Sequence, residues 1–332
     1  INVLTNILTV SWLGAIYTYS AGWSALVDTL PGNVNDSITF NSAIFYAQGS
    51  SGYSYQTDPT AAATDVANPQ AIAFAKLDNK IYCIDATGTL YSSTSGTSGS
   101  WVTLAKIDVS DYTMSLDTIL LRVYDDASGD PTLWAIAPDG SYLYDAVNDK
   151  WFRSRLQTPR YSTQLTTPSF GTVHRGSLYL QTNNRKITKL TMTAGQLLVE
   201  DASLGNPDGV DTGYLSALKA SVSDGYLLYA VTGYTGNTGL FKAVALFAWN
   251  EKGWHPLYQE PTVSNVSAPS DAGPIAVINQ SGANKRLLYF HMRGSSLYNL
   301  YYINLNDMIE NPLISTTRSY SASGNVELPY DD

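Results

Sequence analysis

The feature that most constrains the fold is a short antiparallel meander, and its clearest copy spans residues 132–156. Residues 133–137 and 142–144 are predicted strands, joined by a Pro-Asp-Gly turn at 138–140. Proline presets φ in such a turn, and glycine accepts the positive φ that closes a tight hairpin. A second turn leads into a third strand that begins at Trp151. Strands this short cannot bury a core alone, so the copies must pack against one another.

Versions of this meander recur along the whole chain of 332 residues. About seven passages follow one another, with spacings near the roughly 40–50 residues that one β-propeller blade needs. No long segment shows the periodicity of an amphipathic helix, and the strands are too many for a β-sandwich. We therefore predict an all-β fold, a single β-propeller with four-stranded antiparallel blades. Seven blades are favoured, and six remain an alternative.

The two ends of the chain give a further expectation about the blades. The first passage, at residues 8–30, lacks a clear first strand, whereas residues 320–330 contain a strand-like Val326-Glu327-Leu328. We therefore predict a propeller over residues 1–319. Residues 320–332 would then be either a closing strand that completes the first blade or the start of a linker to a further domain. We expect both ends to have been cut from a longer or processed polypeptide.

The acidic balance of the chain argues against a nucleic-acid partner. The sequence has 19 Lys and Arg against 28 Asp and Glu, which gives a net charge of −9. Its densest basic cluster is only Arg185, Lys186 and Lys189, whereas a phosphate backbone requires an extended basic surface. No apolar run is long enough for a transmembrane helix. We therefore expect neither nucleic-acid binding nor membrane insertion.

The residues that could carry catalysis are few and scattered. Cys83 alternates with Ile81 and is expected to be a buried thiol. His174, beside an Arg-Gly turn, is expected to be solvated, and it forms no metal-ligand pattern with His255 or His291. Motifs for a nucleophile elbow or a phosphate-binding loop are absent from the sequence. We therefore predict that the protein is not an enzyme.

One loop is a candidate calcium site, and calcium is the only cofactor that the sequence suggests. Asn206, Asp208 and Asp211 place three oxygen-bearing side chains close together. Calcium binds six to eight oxygens and often takes several from one loop. The alternative is a loop whose Asx side chains hydrogen-bond its own backbone.

The aromatic residues suggest either packing or ligand binding. Tryptophan and tyrosine side chains at matching positions in successive passages are expected to pack between blades. Tyr53, Tyr55 and Tyr234 match no repeated position and stand in the glycine-containing segments Gly52-Tyr53-Ser54-Tyr55 and Gly233-Tyr234. We predict that these three tyrosines lie on loops and bind a ligand, for which a sugar is the candidate.

The C-terminal third resembles a known class of viral proteins. The segments KGWHPLY (252–258), KRLLYF (285–290), YYINL (301–305), Asn311-Pro312 and SGNVELP (323–329) occur in this order. This order resembles β-propeller regions of structural proteins of tailed phages, over about residues 250–330. The resemblance carries no catalytic residue.

The resemblance implies a tail or fibre-like virion component that is made in the host cytoplasm and carried on the extracellular particle. Its partners would be other virion proteins, in multiple copies, and it would contribute to host attachment. Two alternatives remain open, a carbohydrate-binding propeller lectin and a glycan hydrolase or lyase.

Overall fold

The computed structural model describes the greater part of the chain. The described ranges are 1–4, 7–12, 14–19, 26–107, 119–137, 140–154, 171–183, 186–193, 196–202, 218–232, 245–259, 272–280, 285–293, 298–306 and 325–327. Within them, helical structure is limited to the 3₁₀ turn Gly49–Ser51 and residues 305–306. The described residues include no helix with the length and apolarity that crossing a membrane requires.

The strands form seven sheets of four strands each. The first three sheets are β1–β4 (Asn2–Leu4, Ile7–Trp12, Ala15–Tyr19, Asp28–Thr29), β5–β8 (Asp36–Phe40, Ala43–Ala47, Tyr53–Gln56, Thr64–Val66) and β9–β12 (Ala71–Leu77, Lys80–Asp85, Thr89–Ser93, Val102–Lys106).

The other four sheets are β13–β16 (Leu120–Asp125, Pro131–Ala137, Gly140–Asp145, Lys150–Arg153), β17–β20 (Gly171–His174, Ser177–Asn183, Lys186–Thr193, Gln196–Asp201), β21–β24 (Leu218–Ser223, Leu228–Thr232, Ala245–Trp249, Trp254–Gln259) and β25–β28 (Ala272–Gln280, Lys285–Arg293, Tyr298–Asn304, Asn325–Glu327).

Every sheet is built from consecutive strands in simple order, so each hairpin pairs neighbours in the sequence. This is a seven-bladed β-propeller, and we number its blades 1 to 7 in chain order. The predicted all-β fold is confirmed, with seven blades rather than six. The chain forms two compact units, residues 1–171 with 190–198 and residues 172–189 with 199–332.

Both expectations about the chain ends differ from the structure. Blade 1 has its own first strand, because β1 pairs with β2 through Asn2 opposite Thr9. Strand β28 pairs in parallel with β27, Asn325 opposite Leu300, and is therefore the fourth strand of blade 7. Pairing of this strand into blade 1 was a wrong prediction, since that blade lacks no strand. Residues 320–324 and 328–332 lie outside the described residues, so a linker there stays a prediction.

The core of the first unit lies between its blades. One cluster joins blades 2 and 3 through Phe45, Tyr53, Phe74 and Ile81, and a second joins blades 3 and 4. Cys83 belongs to the first cluster, and its burial raises the pKa of the thiol well above its usual value. The prediction of a buried structural thiol is confirmed.

The second unit buries apolar side chains in the same way. Leu246 and Tyr258 of blade 6 pack with Leu288 and Phe290 of blade 7 in one buried cluster. A four-stranded blade has two apolar faces and so gains stability only when neighbouring blades cover them.

Candidate functional site

Two of the predicted ligand-binding tyrosines lie on a strand rather than on a loop. Tyr53 and Tyr55 belong to β7, and the Tyr53 side chain is fully buried. A ring with no exposed surface cannot stack on a ligand, so the assignment of Tyr53 to a binding surface is wrong. Tyr55 is half-buried and stacks on Phe45, with ring centroids 5.8 Å apart. Its role in binding stays a prediction.

The remaining predicted site residues cannot be placed. Tyr234 and the proposed calcium ligands Asn206, Asp208 and Asp211 lie outside the described residues. Within the described ranges, no group of three His, Cys, Asp or Glu side chains is placed to hold a metal ion.

Tyr53 instead forms a hydrogen-bonded contact between blades 2 and 3. Its hydroxyl donates to the Gly96 carbonyl at 2.8 Å and accepts from Trp101 Nε1 at 2.9 Å. Burial of the side chain raises the pKa of Tyr53 to about 12, although the Trp101 hydrogen bond opposes the increase. A similar pair joins blades 5 and 6, where Trp249 Nε1 donates to the Tyr179 hydroxyl at 3.3 Å.

Two further tryptophans bond to the backbone of the preceding blade. Trp151 Nε1 of blade 4 donates to the Ala105 carbonyl at 3.3 Å. Trp254 Nε1 of blade 6 donates to the Ala202 carbonyl at 2.9 Å. The predicted packing of repeated aromatics between blades is therefore seen at these positions, and each indole also supplies a directional bond.

Polar side chains also join the first strands of neighbouring blades. In the first unit, Asn2 Nδ2 of blade 1 donates to Ser37 Oγ of blade 2 at 2.8 Å. Arg122 Nε of blade 4 donates to the Gly171 carbonyl of blade 5 at 2.6 Å. In the second unit, the hydroxyls of Thr172 in blade 5 and Ser221 in blade 6 share a hydrogen bond.

Asp36 forms the corresponding contact between blades 2 and 3. Its Oδ2 accepts from the Phe74 N–H and its Oδ1 from the Ser37 N–H, both at 2.9 Å. Burial raises the pKa of the Asp36 carboxyl, and the positive charge of Arg122 opposes that shift. Sequence reasoning missed this residue because nothing in the local pattern showed that the next blade would supply a donor.

A polar cluster in the second unit surrounds His174. The side chain is only 1% exposed, so the prediction of a solvated histidine is wrong. Its Nδ1 lies 2.7 Å from Ser223 Oγ, which also accepts from the Gly225 N–H. Nε2 lies 3.3 Å from Glu251 Oε1, but the geometry falls short of a hydrogen bond, and no other described group accepts from it.

Glu251 makes several contacts that tie blades 5 and 6 together. Both of its carboxylate oxygens lie 3.3 Å from the Tyr179 hydroxyl, and Oε2 lies 3.5 Å from Lys189 Nζ. Lys189 Nζ also lies 3.2 Å from Glu200 Oε2. The side chain of Glu251 is 30% exposed, so solvent weakens these charge contacts.

Ser223, His174 and Glu251 are the residue types of a hydrolytic triad, but their arrangement favours a structural role. A triad needs a carboxylate hydrogen-bonded to one ring nitrogen, with the ring accessible to a bound substrate. Here the Glu251 contact is misaligned and His174 is covered. Burial is also the main cause that lowers the pKa of His174, although Glu251 opposes it. The neutral ring therefore serves as a packing and hydrogen-bonding group between two blades.

Comparisons with solved structures show the same fold. The chain is similar to the β-propeller domain of Myceliophteria thermophila Cps50 (Swd1), with 10% identity and a TM-score of 0.55 over 89% of this chain and 93% of that one. It is also similar to the WD40 β-propeller domain of Doa1, with 10% identity and a TM-score of 0.51 over 90% and 89% of the two chains.

A third similar structure is the extracellular domain of BT4673 from B. thetaiotaomicron, with 11% identity and a TM-score of 0.54. The match covers 89% of this chain but only 36% of that longer one. No protein-family model and no curated protein sequence matches the chain. At these identities the likeness extends to the fold alone.

Proposed function

We propose that the chain is a non-enzymatic β-propeller that serves as a rigid platform within a larger assembly. The observation that carries this proposal is the use of polar and aromatic side chains between blades. Indole N–H groups, the Asp36 carboxylate and the His174–Ser223 pair all bond to a neighbouring blade. Groups held in this way stabilise the fold and are not free to act on a substrate.

The assembly that we propose is the tail or particle surface of a tailed-phage virion. Support comes from the resemblance of residues 250–330 to propeller regions of virion structural proteins. A low content of charged residues, 14%, and a single cysteine fit a protein that folds in a bacterial cytoplasm without disulfides. Its partners would be other virion proteins in multiple copies, and binding of a host-surface glycan is the alternative role.

The composition of purified particles tests this proposal. Particles from the source of this sequence would be banded on a density gradient, washed at high salt and analysed by quantitative mass spectrometry. We expect peptides of this chain in the particle band at a fixed copy number relative to the major structural proteins. Absence of the chain from washed particles, with the chain found only in the soluble fraction, would overturn the virion assignment.

A further inference from the structure

The turn between β21 and β22 presents an exposed aromatic ring. Tyr226 is 61% exposed, whereas Tyr229 on the following strand is 1% exposed. A single exposed aromatic side chain is ordinary on a protein surface, so the case for a contact surface depends on the groups around this ring. None of the sequence patterns considered above drew attention to this residue.

The turn that carries Tyr226 is held rigid by Asp224. Oδ1 of this carboxylate accepts from the Tyr226 and Leu227 N–H groups, both at 2.7 Å. Its Oδ2 accepts from the Tyr229 hydroxyl at 3.0 Å, and the Asp224 N–H donates to the Leu227 carbonyl at 3.1 Å. The backbone that carries the ring is therefore fixed before any ligand arrives, which reduces the entropy lost on binding.

Two arginines from neighbouring blades converge on the same turn. Arg286 of blade 7 places its guanidinium carbon 5.0 Å from the Tyr226 ring centroid, and its Nη2 bonds to the Asp224 carbonyl at 2.8 Å. Arg175 of blade 5 donates from Nε to the Gly225 carbonyl at 3.2 Å. Since Tyr226 is 61% exposed, Arg286 leaves much of the ring open to solvent.

The arginines also keep donors available for a ligand. A guanidinium has five N–H groups in a fixed fork that matches a carboxylate. Among the described residues, only Nη2 of Arg286 and Nε of Arg175 have acceptors. Asp224 neutralises one of the two positive charges, because its Oδ2 lies 3.0 Å from Arg286 Nη2 and its side chain is only 3% exposed.

We propose that Arg175, Tyr226 and Arg286 form a binding site for a carboxylated saccharide. The open part of the Tyr226 ring would stack against the C–H face of a sugar, and the unused guanidinium N–H groups would bind the sugar carboxylate. The two arginines give this site a local excess of positive charge, although the net charge of the protein is −9. The negative net charge disfavours binding of an extended polyanion, whereas the local positive charge attracts a single acidic sugar. The inference does not depend on the virion assignment.

Calorimetric titration of the whole chain with defined oligosaccharides tests the proposal. The probes are a glucuronate-containing hyaluronan tetrasaccharide, a neutral N-acetylglucosamine tetramer and a hexamer of glutamate. We expect the hyaluronan probe to bind, the neutral sugar to bind at least about tenfold more weakly, and the peptide not to bind. Equal binding of the neutral sugar, tighter binding of the peptide, or no binding of the acidic sugar would overturn the proposal.

Substitutions of single residues test where on the protein surface the saccharide binds. Tyr226→Ala should raise the Kd for the hyaluronan probe about tenfold or more, and Arg175→Ala about threefold or more, because each removes one of the two kinds of contact. Tyr17→Ala is the matched control, since Tyr17 is an exposed tyrosine of blade 1 (36%). All three positions are exposed, so the variants should fold, which circular dichroism would verify. Unchanged affinity in Tyr226→Ala, or an equal loss in Tyr17→Ala, would contradict the assignment.

Discussion

At the scale of single residues, the burial and the contacts of individual side chains could not be predicted from the sequence. Gly52-Tyr53 looked like a loop, yet Gly52 has φ +94° at the end of the 3₁₀ turn, and the chain enters β7 at the next residue. His174 stands beside a turn and is nevertheless buried, because Ser223 of the next blade lies against it. Both environments are made by residues about fifty positions away in the sequence.

The burial of His174 predicts how acid affects stability. Burial lowers its pKa in the folded protein below the ordinary value of 6.5, so between these two values the unfolded chain binds more protons. This contribution to stability is fully present above pH 6.5 and is lost as the pH falls from that value through the lower folded-state pKa. His174→Gln should therefore flatten the dependence of the unfolding free energy on pH below about 6.5.

Urea denaturation at several pH values would measure this slope. His255→Gln is the control, because it removes an exposed histidine on β24. An identical pH dependence in His174→Gln and the unsubstituted protein would show that the buried ring does not contribute.

At the scale of elements, long strands and tight turns were predictable, and the pairing of short edge strands was not. The Asp78-Asn79 turn has φ of 49° and 57°, the positive pair that such residues tolerate, so the hairpin between β9 and β10 could be predicted. Strands β1, β4 and β28 have only two or three residues each. Segments this short show no alternation of their own, and only the neighbouring strand determines their pairing.

The tryptophans at the start of the fourth strands of blades 4 and 6 should contribute unequally to stability. Trp254→Phe removes the 2.9 Å bond to the Ala202 carbonyl, and both residues are buried. A buried carbonyl left without a donor costs about 1–3 kcal/mol. Trp151→Phe is the matched change in blade 4, where the bond is 3.3 Å long and the indole is half-buried. We expect a smaller loss there, measured as unfolding free energy in guanidinium. A larger loss in Trp151→Phe than in Trp254→Phe would contradict this ranking.

At the scale of the whole molecule, the repeat alone gave the propeller and the preference for seven blades, because a unit of this length has few other ways to cover both faces. Repetition could not show which side chains meet between blades. Tyr53 and Trp101 lie in different copies of the unit, and neither copy carries a local signal for their hydrogen bond. The same limit explains why the surface formed by Arg175, Tyr226 and Arg286 was missed.

The platform role that we propose requires neighbouring blades to unfold together rather than one by one. Gly96 and Gly99 offer a matched pair of probes in one loop of blade 3, with φ of +77° and +78°. A Cβ at Gly96 would lie 2.5 Å from the ring of Phe45 in blade 2, whereas a Cβ at Gly99 would meet nothing within 4 Å. Gly96→Ala and Gly99→Ala share the backbone strain of a positive φ, but only Gly96→Ala adds a clash between blades. We expect this clash to destabilise the protein by about 1–3 kcal/mol more.

Hydrogen exchange of β6 in blade 2 and β10 in blade 3 tests this coupling most directly. We expect Gly96→Ala to lower the protection of Ala43–Ala47 and Lys80–Asp85 by the same free energy, and Gly99→Ala to lower both by less, through backbone strain alone. Loss of protection in β10 alone, with β6 unchanged, would mean that the blades open independently and would contradict a rigid platform.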